Sequence, residues 1–255
     1  MKKVLIVALG IVLLLLAALL IIPILYKDKI QEKLSQEINK DLNAKVFFNA
    51  NDFSLSVFSN FPNVTAKLSN FGVVGINEFE GDTLASIEQF ELVADIMSVL
   101  RGDQIKIKAI HLTKPKFNVI VLANGKANYD IVKPDTTKPD PNAKVEPTQF
   151  SIGIESWTIT DGFISYVDQV TPMNALIVGL NHEGSGDFTQ DIFDLNTQTQ
   201  VASLSYELDS VSYLSDKQLD AKLVLAMDLK NSKYTFKDNL FKLNEFAFGF
   251  NGFVA

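Results

Sequence analysis

Apolar and polar residues follow three successive patterns along the chain. Residues 4–26 form an uncharged apolar run, residues 27–43 carry an apolar residue at every fourth position, and a period of two begins near residue 45. The first pattern is typical of a membrane span, the second of an amphipathic helix and the third of β-strands. The chain is therefore predicted to be mainly β, with two helices at its N-terminus.

The apolar run VLIVALGIVLLLLAALLIIPILY, residues 4–26, predicts a transmembrane helix. Its 23 residues would extend about 34 Å, against a hydrocarbon core of about 30 Å. A cleaved signal peptide is the alternative, but its apolar part usually has about 7 to 15 residues and ends in small residues. The segment 23–26, PILY, offers no such cleavage site. Lys2 and Lys3 before the span predict a cytoplasmic N-terminus and translocation of the rest.

Residues 27–43 predict a short amphipathic helix. Four lysines and four acidic residues cover most of its surface, whereas a helix lying on a membrane would be basic on its polar face. We therefore expect this helix to lie against the protein that follows. Its narrow apolar stripe consists of Ile30, Leu34, Ile38 and Leu42.

The alternation from residue 45 onward predicts antiparallel strands with one apolar and one polar face. It is clearest in residues 53–57, 64–68, 90–94 and 105–107, and one helical turn is predicted at residues 96–100. Asn124-Gly125 predicts a type I′ turn between two paired strands. The first of those strands is apolar on both faces, which leaves open what covers its second face.

Proline-rich and polar stretches divide the second half of the chain. Residues 133–148, KPDTTKPDPNAKVEPT, hold four of the eight prolines and predict an exposed linker or a disordered loop. Strands resume at residue 149, with a turn predicted at Asp161-Gly162, a long strand at residues 219–229 and a further break at Asp238-Asn239. The last strand is an aromatic run, and because an open apolar edge invites aggregation, we expect a longer protein to continue beyond it.

The predicted organisation has five parts. They are the cytoplasmic N-terminus with the anchor (1–26), the amphipathic helix (27–43), a first β region (44–132), the linker or loop (133–148) and a continuing β region (149–255).

Composition and chemistry exclude several classes of function. The net charge of −7 and the lack of a basic run argue against nucleic-acid binding. The absence of cysteine excludes disulfides, thiolate metal sites and a cysteine nucleophile. Of the two histidines, His111 is expected at a strand end and His182 in a loop. Glu183 and Asp187 lie near His182 in the sequence, but in an acidic protein such neighbours are expected by chance, so a structural role is favoured for both histidines. The chain is therefore predicted not to be an enzyme and to carry neither cofactor nor metal.

Several segments, in order, resemble the N-terminal region of the AsmA family. They are the anchor, the charged helix ending in INKDLNAKVFFN, the strand region FSLSVFSNFPNVTAKLSNFGVV, and LVADIMSVLRGDQIKIKAIHLTKPKFNVIVLANGKANYDIV. WTITDGFISYVD is similar to a segment that follows the linker in that family. The family often has glycine and arginine where residues 43–45 stand, so the turn from helix to strand differs here.

The resemblance implies an inner-membrane protein of diderm bacteria with a periplasmic part like that of chorein-type bridge proteins. Such a part would be a long curved antiparallel sheet, an open trough that binds or conducts phospholipid and supports outer-membrane biogenesis. Its partners would be membrane phospholipids, with outer-membrane or other envelope proteins as further candidates. The candidate groove residues are Phe53, Leu55, Val57, Phe90, Leu92, Ile105, Ile107, Phe117, Val119, Leu223, Leu225, Phe246 and Phe248.

A second hypothesis is a membrane-tethered scaffold with a closed β-sandwich that recruits other envelope proteins. The interior of a sandwich and the lining of a trough alternate in the same way. The sequence pattern therefore leaves both hypotheses open.

Overall fold

The computed structural model describes residues 42–101, 106–132, 154–188 and 190–254. Within them the chain forms one sheet of 11 strands in the order β1-β3-β4-β5-β6-β7-β8-β9-β10-β11, with β2 paired to β3. The predicted class, mainly β, is confirmed for these residues. The predicted span at 4–26, residues 27–41 of the predicted amphipathic helix, and the linker at 133–148 lie outside them.

The strand order follows the chain almost without exception, so most connections are simple hairpins. The single α-helix of the described residues, α1 (Ile96–Arg101), follows the fourth strand at the predicted position. The strands are β1 (Ala44–Phe47), β2 (Phe53–Ser56), β3 (Asn63–Gly75), β4 (Thr83–Asp95), β5 (Ile107–Val121), β6 (Ser156–Asp168), β7 (Met173–Ser185), β8 (Ile192–Leu208), β9 (Val211–Asp228), β10 (Lys233–Leu243) and β11 (Phe246–Val254).

The sheet is mixed, because β5 and β6 run parallel while the other neighbouring strands are antiparallel. Ala109 lies opposite Ser156, and Val121 lies opposite Asp168. The prediction of a wholly antiparallel sheet was wrong at this pair. A parallel pair cannot be joined by a tight turn and needs a long connection, which residues 122–155 supply.

The turn at Asn124-Gly125 ends β5, but it is not of type I′. Gly125 has a φ of 80°, whereas Asn124 is not among the residues with positive φ, and a type I′ turn requires both. The N–H of Gly125 donates to the carbonyl of Leu122 (2.8 Å). The returning segment makes only an isolated bridge between Val121 and Ala127, so the predicted second strand is also wrong.

A buried asparagine holds the returning segment against β5. The Asn128 side chain accepts the N–H of Ile120 (2.9 Å) and donates to the carbonyl of Asn118 (2.7 Å). The side-chain amide therefore takes the place of the ladder that a second strand would have supplied.

Two predicted turns are β-bulges inside long strands. Asp161 and Asp238 have φ values of 53° and 49°, yet β6 and β10 continue through them. Asn70, Lys114 and Gly179 occupy positions in β3, β5 and β7 level with Asp161, and they too have positive φ. Since a bulge bends its strand and increases the local twist, this line of residues bends the sheet across its width.

The two clusters of buried apolar residues are small and lie at the β1 to β4 end. One cluster contains Ala44, Val46, Val73, Leu84 and Ala85, with Leu42 packed against it. Leu42, from the predicted amphipathic stripe, forms an isolated bridge with Val132, whereas Ile30, Leu34 and Ile38 lie outside the described residues. No helix in the described segments has the length and apolar character that a membrane crossing requires.

Candidate functional site

The register of the sheet places apolar side chains from successive strands on one face. Residues directly opposite each other share a face, and residues two apart on a strand do so as well. This rule gives two rows of side chains on the same face. The first row is Leu55, Ala66, Leu92, Ile110, Trp157, Gly184, Thr197 and Leu223; the second is Phe53, Leu68, Phe90, Leu112, Ile159, His182, Thr199, Ala221, Phe241 and Phe248. We call the side that carries these rows the apolar face.

The row between them points to the other side, which we call the polar face. Its members are Ser54, Lys67, Glu91, His111, Thr158, Glu183, Gln198, Lys222 and, at the β10 end, the apolar Leu240. Lys67 and Glu91 form an ion pair at 2.6 Å. This pair is partly buried, whereas Glu183, Gln198 and Lys222 are exposed. The sheet therefore carries apolar side chains on one face and mainly polar side chains on the other.

Two further rows of mainly apolar side chains lie beyond the bulges. A methyl group built on Gly162 would lie 3.0 Å from Cγ2 of Ile159, so the two positions are close neighbours across the bulge at Asp161. One of the further rows runs Val73, Ala85, Phe117, Ile164, Ile177 and Leu204; the next runs Val119, Tyr166, Ala175 and Tyr206.

Most of the apolar face has no second layer above it among the described residues. The elements there contact principally their neighbours in the same sheet. The aromatic side chains of Phe246 and Phe248 are 69% and 45% exposed, and Trp157, Ile159 and Leu223 are only half-buried. Because a soluble monomer rarely leaves a large apolar patch to water, the apolar face is the candidate functional site of the described residues.

Most of the candidate groove residues meet on this face. Ile107 lies opposite Ala94, and Val57 is buried beside Val64 and Ala94. Ile105 lies outside the described residues. The register places eight others on the apolar face: Phe53, Leu55, Phe90, Leu92, Leu223, Leu225, Phe246 and Phe248. Phe117 and Val119 lie in the rows beyond the bulges.

Sequence reasoning missed the centre of the face. Trp157 and Ile159 were predicted to lie in a strand, and Ile110 and Leu112 to lie at the end of one, but none of the four was predicted to line the groove. The alternation of these residues indicates that they lie in strands with one apolar face. It does not indicate the register of β5 with β6, because that register depends on a parallel pairing.

The two histidines lie on opposite faces, so they form no common site. His182 lies within β7 and His111 within β5, which corrects the predictions of a loop and a strand end. Each ring bonds a threonine on the next strand: Nδ1 of His182 lies 2.8 Å from Oγ1 of Thr199, and Nδ1 of His111 lies 2.7 Å from Oγ1 of Thr158. The described residues hold no group of three or more metal-ligating side chains.

Comparison with known proteins identifies the family. The model of the AsmA family matches residues 1–243. No curated protein and no solved structure shows significant similarity to the chain. AsmA proteins are associated with the cell envelope and are not a known family of enzymes, and an open sheet with an apolar face fits a general role in envelope lipid transport. This chain belongs to the AsmA family.

Proposed function

We propose that the chain is an inner-membrane-anchored periplasmic protein that binds or conducts phospholipid along its apolar face, in support of outer-membrane biogenesis. The observation that carries the proposal is the uncovered apolar face. Its first central row runs from β2 to β9 and its second from β2 to β11, both without a charged side chain. Residues 4–26 would supply the anchor.

The size of the face suits acyl chains. The first central row crosses seven strands from β3 to β9, or about 29 Å at the usual strand spacing of about 4.8 Å. One leaflet of a membrane contributes about 15 Å of hydrocarbon, so the row is about twice as long as an acyl chain in a membrane. Each CH₂ group withdrawn from water onto this surface contributes about 0.8 kcal/mol.

The alternative is a scaffold whose apolar face binds protein. The described residues contain one sheet, whereas a closed sandwich requires two sheets facing each other. A scaffold would therefore have to cover the face with protein from elsewhere. The two hypotheses differ in what touches Leu92 and Leu223, and that contact can be measured.

Photo-cross-linking from single positions tests the proposal. A benzoylphenylalanine placed at Leu92 or Leu223 of the full chain, in cells, should form adducts with phospholipid that mass spectrometry identifies. The matched controls are Glu91 and Lys222, which are the adjacent residues in the same strands and point to the polar face.

We expect lipid adducts at Leu92 and Leu223 and none at Glu91 and Lys222. Adducts of Leu92 and Leu223 with protein alone would support the scaffold. Equal lipid labelling on both faces would show that the apolar face does not bind lipid specifically.

A further inference from the structure

The apolar face has one polar interruption in its two central rows. Of the side chains in those rows, only three are polar, and none is charged. They are His182, Thr197 and Thr199, which lie together on β7 and β8. We call these three residues the polar notch. Trp157 and Ile159 on β6 flank it on one side, and Ala221 and Leu223 on β9 flank it on the other.

An aromatic wall stands beside the polar notch. The indole of Trp157 lies against the His182 ring, with centroids 6.2 Å apart and planes inclined by 30°. Gly184 lies directly opposite Trp157, and a methyl group there would be 2.1 Å from Cζ2 of the indole. The glycine therefore lets the indole lie across β7 and form one side of the notch.

The His182–Thr199 hydrogen bond leaves capacity for a ligand whichever partner donates. If the threonine hydroxyl donates to Nδ1, the ring keeps Nε2–H as a donor. If Nδ1–H donates, the hydroxyl keeps its own hydrogen to donate and Nε2 can accept. In both arrangements the pair can offer one further donor and one further acceptor to a molecule lying on the apolar face.

The groups around the polar notch suit an uncharged polar group. Burial lowers the pKa of His182, so the ring is neutral near pH 7. The charged neighbours Glu183 and Lys222 belong to the polar face. A phosphate would find no cation among the three notch residues, whereas a carbonyl oxygen needs only the one donor that the pair retains.

We propose that the polar notch binds the ester carbonyl of an acyl lipid whose hydrocarbon chain lies on the neighbouring apolar rows; this rests on the proposed function of the face. An ester carbonyl adjoins the acyl chain directly, so it reaches an apolar surface together with that chain. A carbonyl withdrawn from water without a partner is costly. The notch supplies the partner, and it fixes where along the rows the chain begins.

Binding of two matched lipids to the detergent-solubilised full chain tests this inference. The probes are dioleoyl phosphatidylglycerol and its diether analogue, which lacks both ester carbonyls. A hydrogen bond contributes about 0.5 to 1.5 kcal/mol, so we expect the diester to bind about 2- to 10-fold more tightly. The double variant His182→Leu, Thr199→Val should lose this preference while still binding the diether.

The polar face supplies a control of the same chemistry. His111→Leu combined with Thr158→Val removes an equivalent histidine–threonine pair from the other face and should keep the preference. Equal binding of both lipids by the unaltered chain would overturn the proposal that the polar notch binds an ester carbonyl, and it would leave the proposed function intact. If neither lipid binds, both the proposed function and the proposed role of the polar notch are overturned.

Discussion

His182 shows how an apolar face changes the chemistry of one side chain. Burial lowers its pKa, because a half-buried imidazolium loses hydration that the nearby carboxylate of Glu183 only partly replaces. The ring is held by Thr199 on one side and contacts the indole of Trp157 on the other. A neutral imidazole is compatible with an apolar surface, whereas a charged one would disrupt it.

The His182 titration gives the first prediction at this scale. By histidine NMR of the full chain, we expect a midpoint below the ordinary pKa of 6.5. Since the folded pKa lies below the unfolded value, protons favour the unfolded chain. The stability linked to His182 is therefore complete above about pH 6.5 and is lost as the pH falls toward the folded pKa.

Assignment of the resonance is direct, because the chain has two histidines. His111→Gln leaves His182 as the single signal. His182→Gln should reduce the loss of stability between pH 7 and the folded pKa. A His182 midpoint at or above 6.5 would contradict the desolvated environment.

Among the elements, the alternation of apolar and polar residues predicted the strands but not their ends or directions. The alternation of apolar and polar residues in β3, β4 and β9 could be recognised in the sequence, because one face of these strands is apolar and the other polar. Asp161 and Asp238 were interpreted as turns because aspartate tolerates positive φ in turns and bulges alike. The sequence alone does not distinguish a bulge, after which the strand continues, from a turn that reverses it.

The candidate site could be predicted from the sequence only where the alternation of apolar and polar residues was clear. Phe90, Leu92 and Leu223 were identified because each stands in a strand with clean alternation. Trp157 and His182 were not assigned to the face, because that assignment depends on the register of β5 with β6 and of β6 with β7. The direction of a strand pair leaves no mark on the alternation, so the parallel pair was also missed.

The bulge at Asp161 gives a prediction about one element. Asp161 is exposed with a φ of 53°, and its N–H donates to Oδ1 of Asn181 (3.1 Å), a bond that side-chain substitution leaves in place. A β-branched residue disfavours this conformation, so Asp161→Val should reduce the free energy of unfolding by about 1 to 2 kcal/mol. Asp161→Gly and Asp161→Asn should be close to neutral.

Thermal or denaturant unfolding of the full chain in detergent measures these differences. Thr160→Val is the matched control, since Thr160 is exposed in the same strand without a positive φ and a β-branched residue suits a strand. If Asp161→Val proves as stable as Asp161→Gly, the backbone at this position does not hold the bulge.

The whole molecule consists of one amphipathic layer over its described length. A sheet normally buries its apolar side against a second layer, and most of the apolar face lacks one there. Any molecule that covers this face in the folded chain but not in the unfolded chain will stabilise the fold by mass action. The occupant of the face is therefore part of the thermodynamics of the protein.

The chain's one tryptophan, Trp157, allows the occupant to be identified for the molecule as a whole. If acyl chains cover the apolar face, brominated phospholipid in nanodiscs holding the full chain should quench Trp157 fluorescence relative to the same lipid without bromine. In the variant Trp157→Phe, Gln198→Trp the fluorophore moves to the polar face, and quenching should largely disappear. A covering protein would exclude bromine from Trp157, so an unquenched Trp157 would indicate that polypeptide covers the face. Quenching that is equal at both positions would show that bromine reaches the two faces alike, which is incompatible with a lipid site confined to one of them.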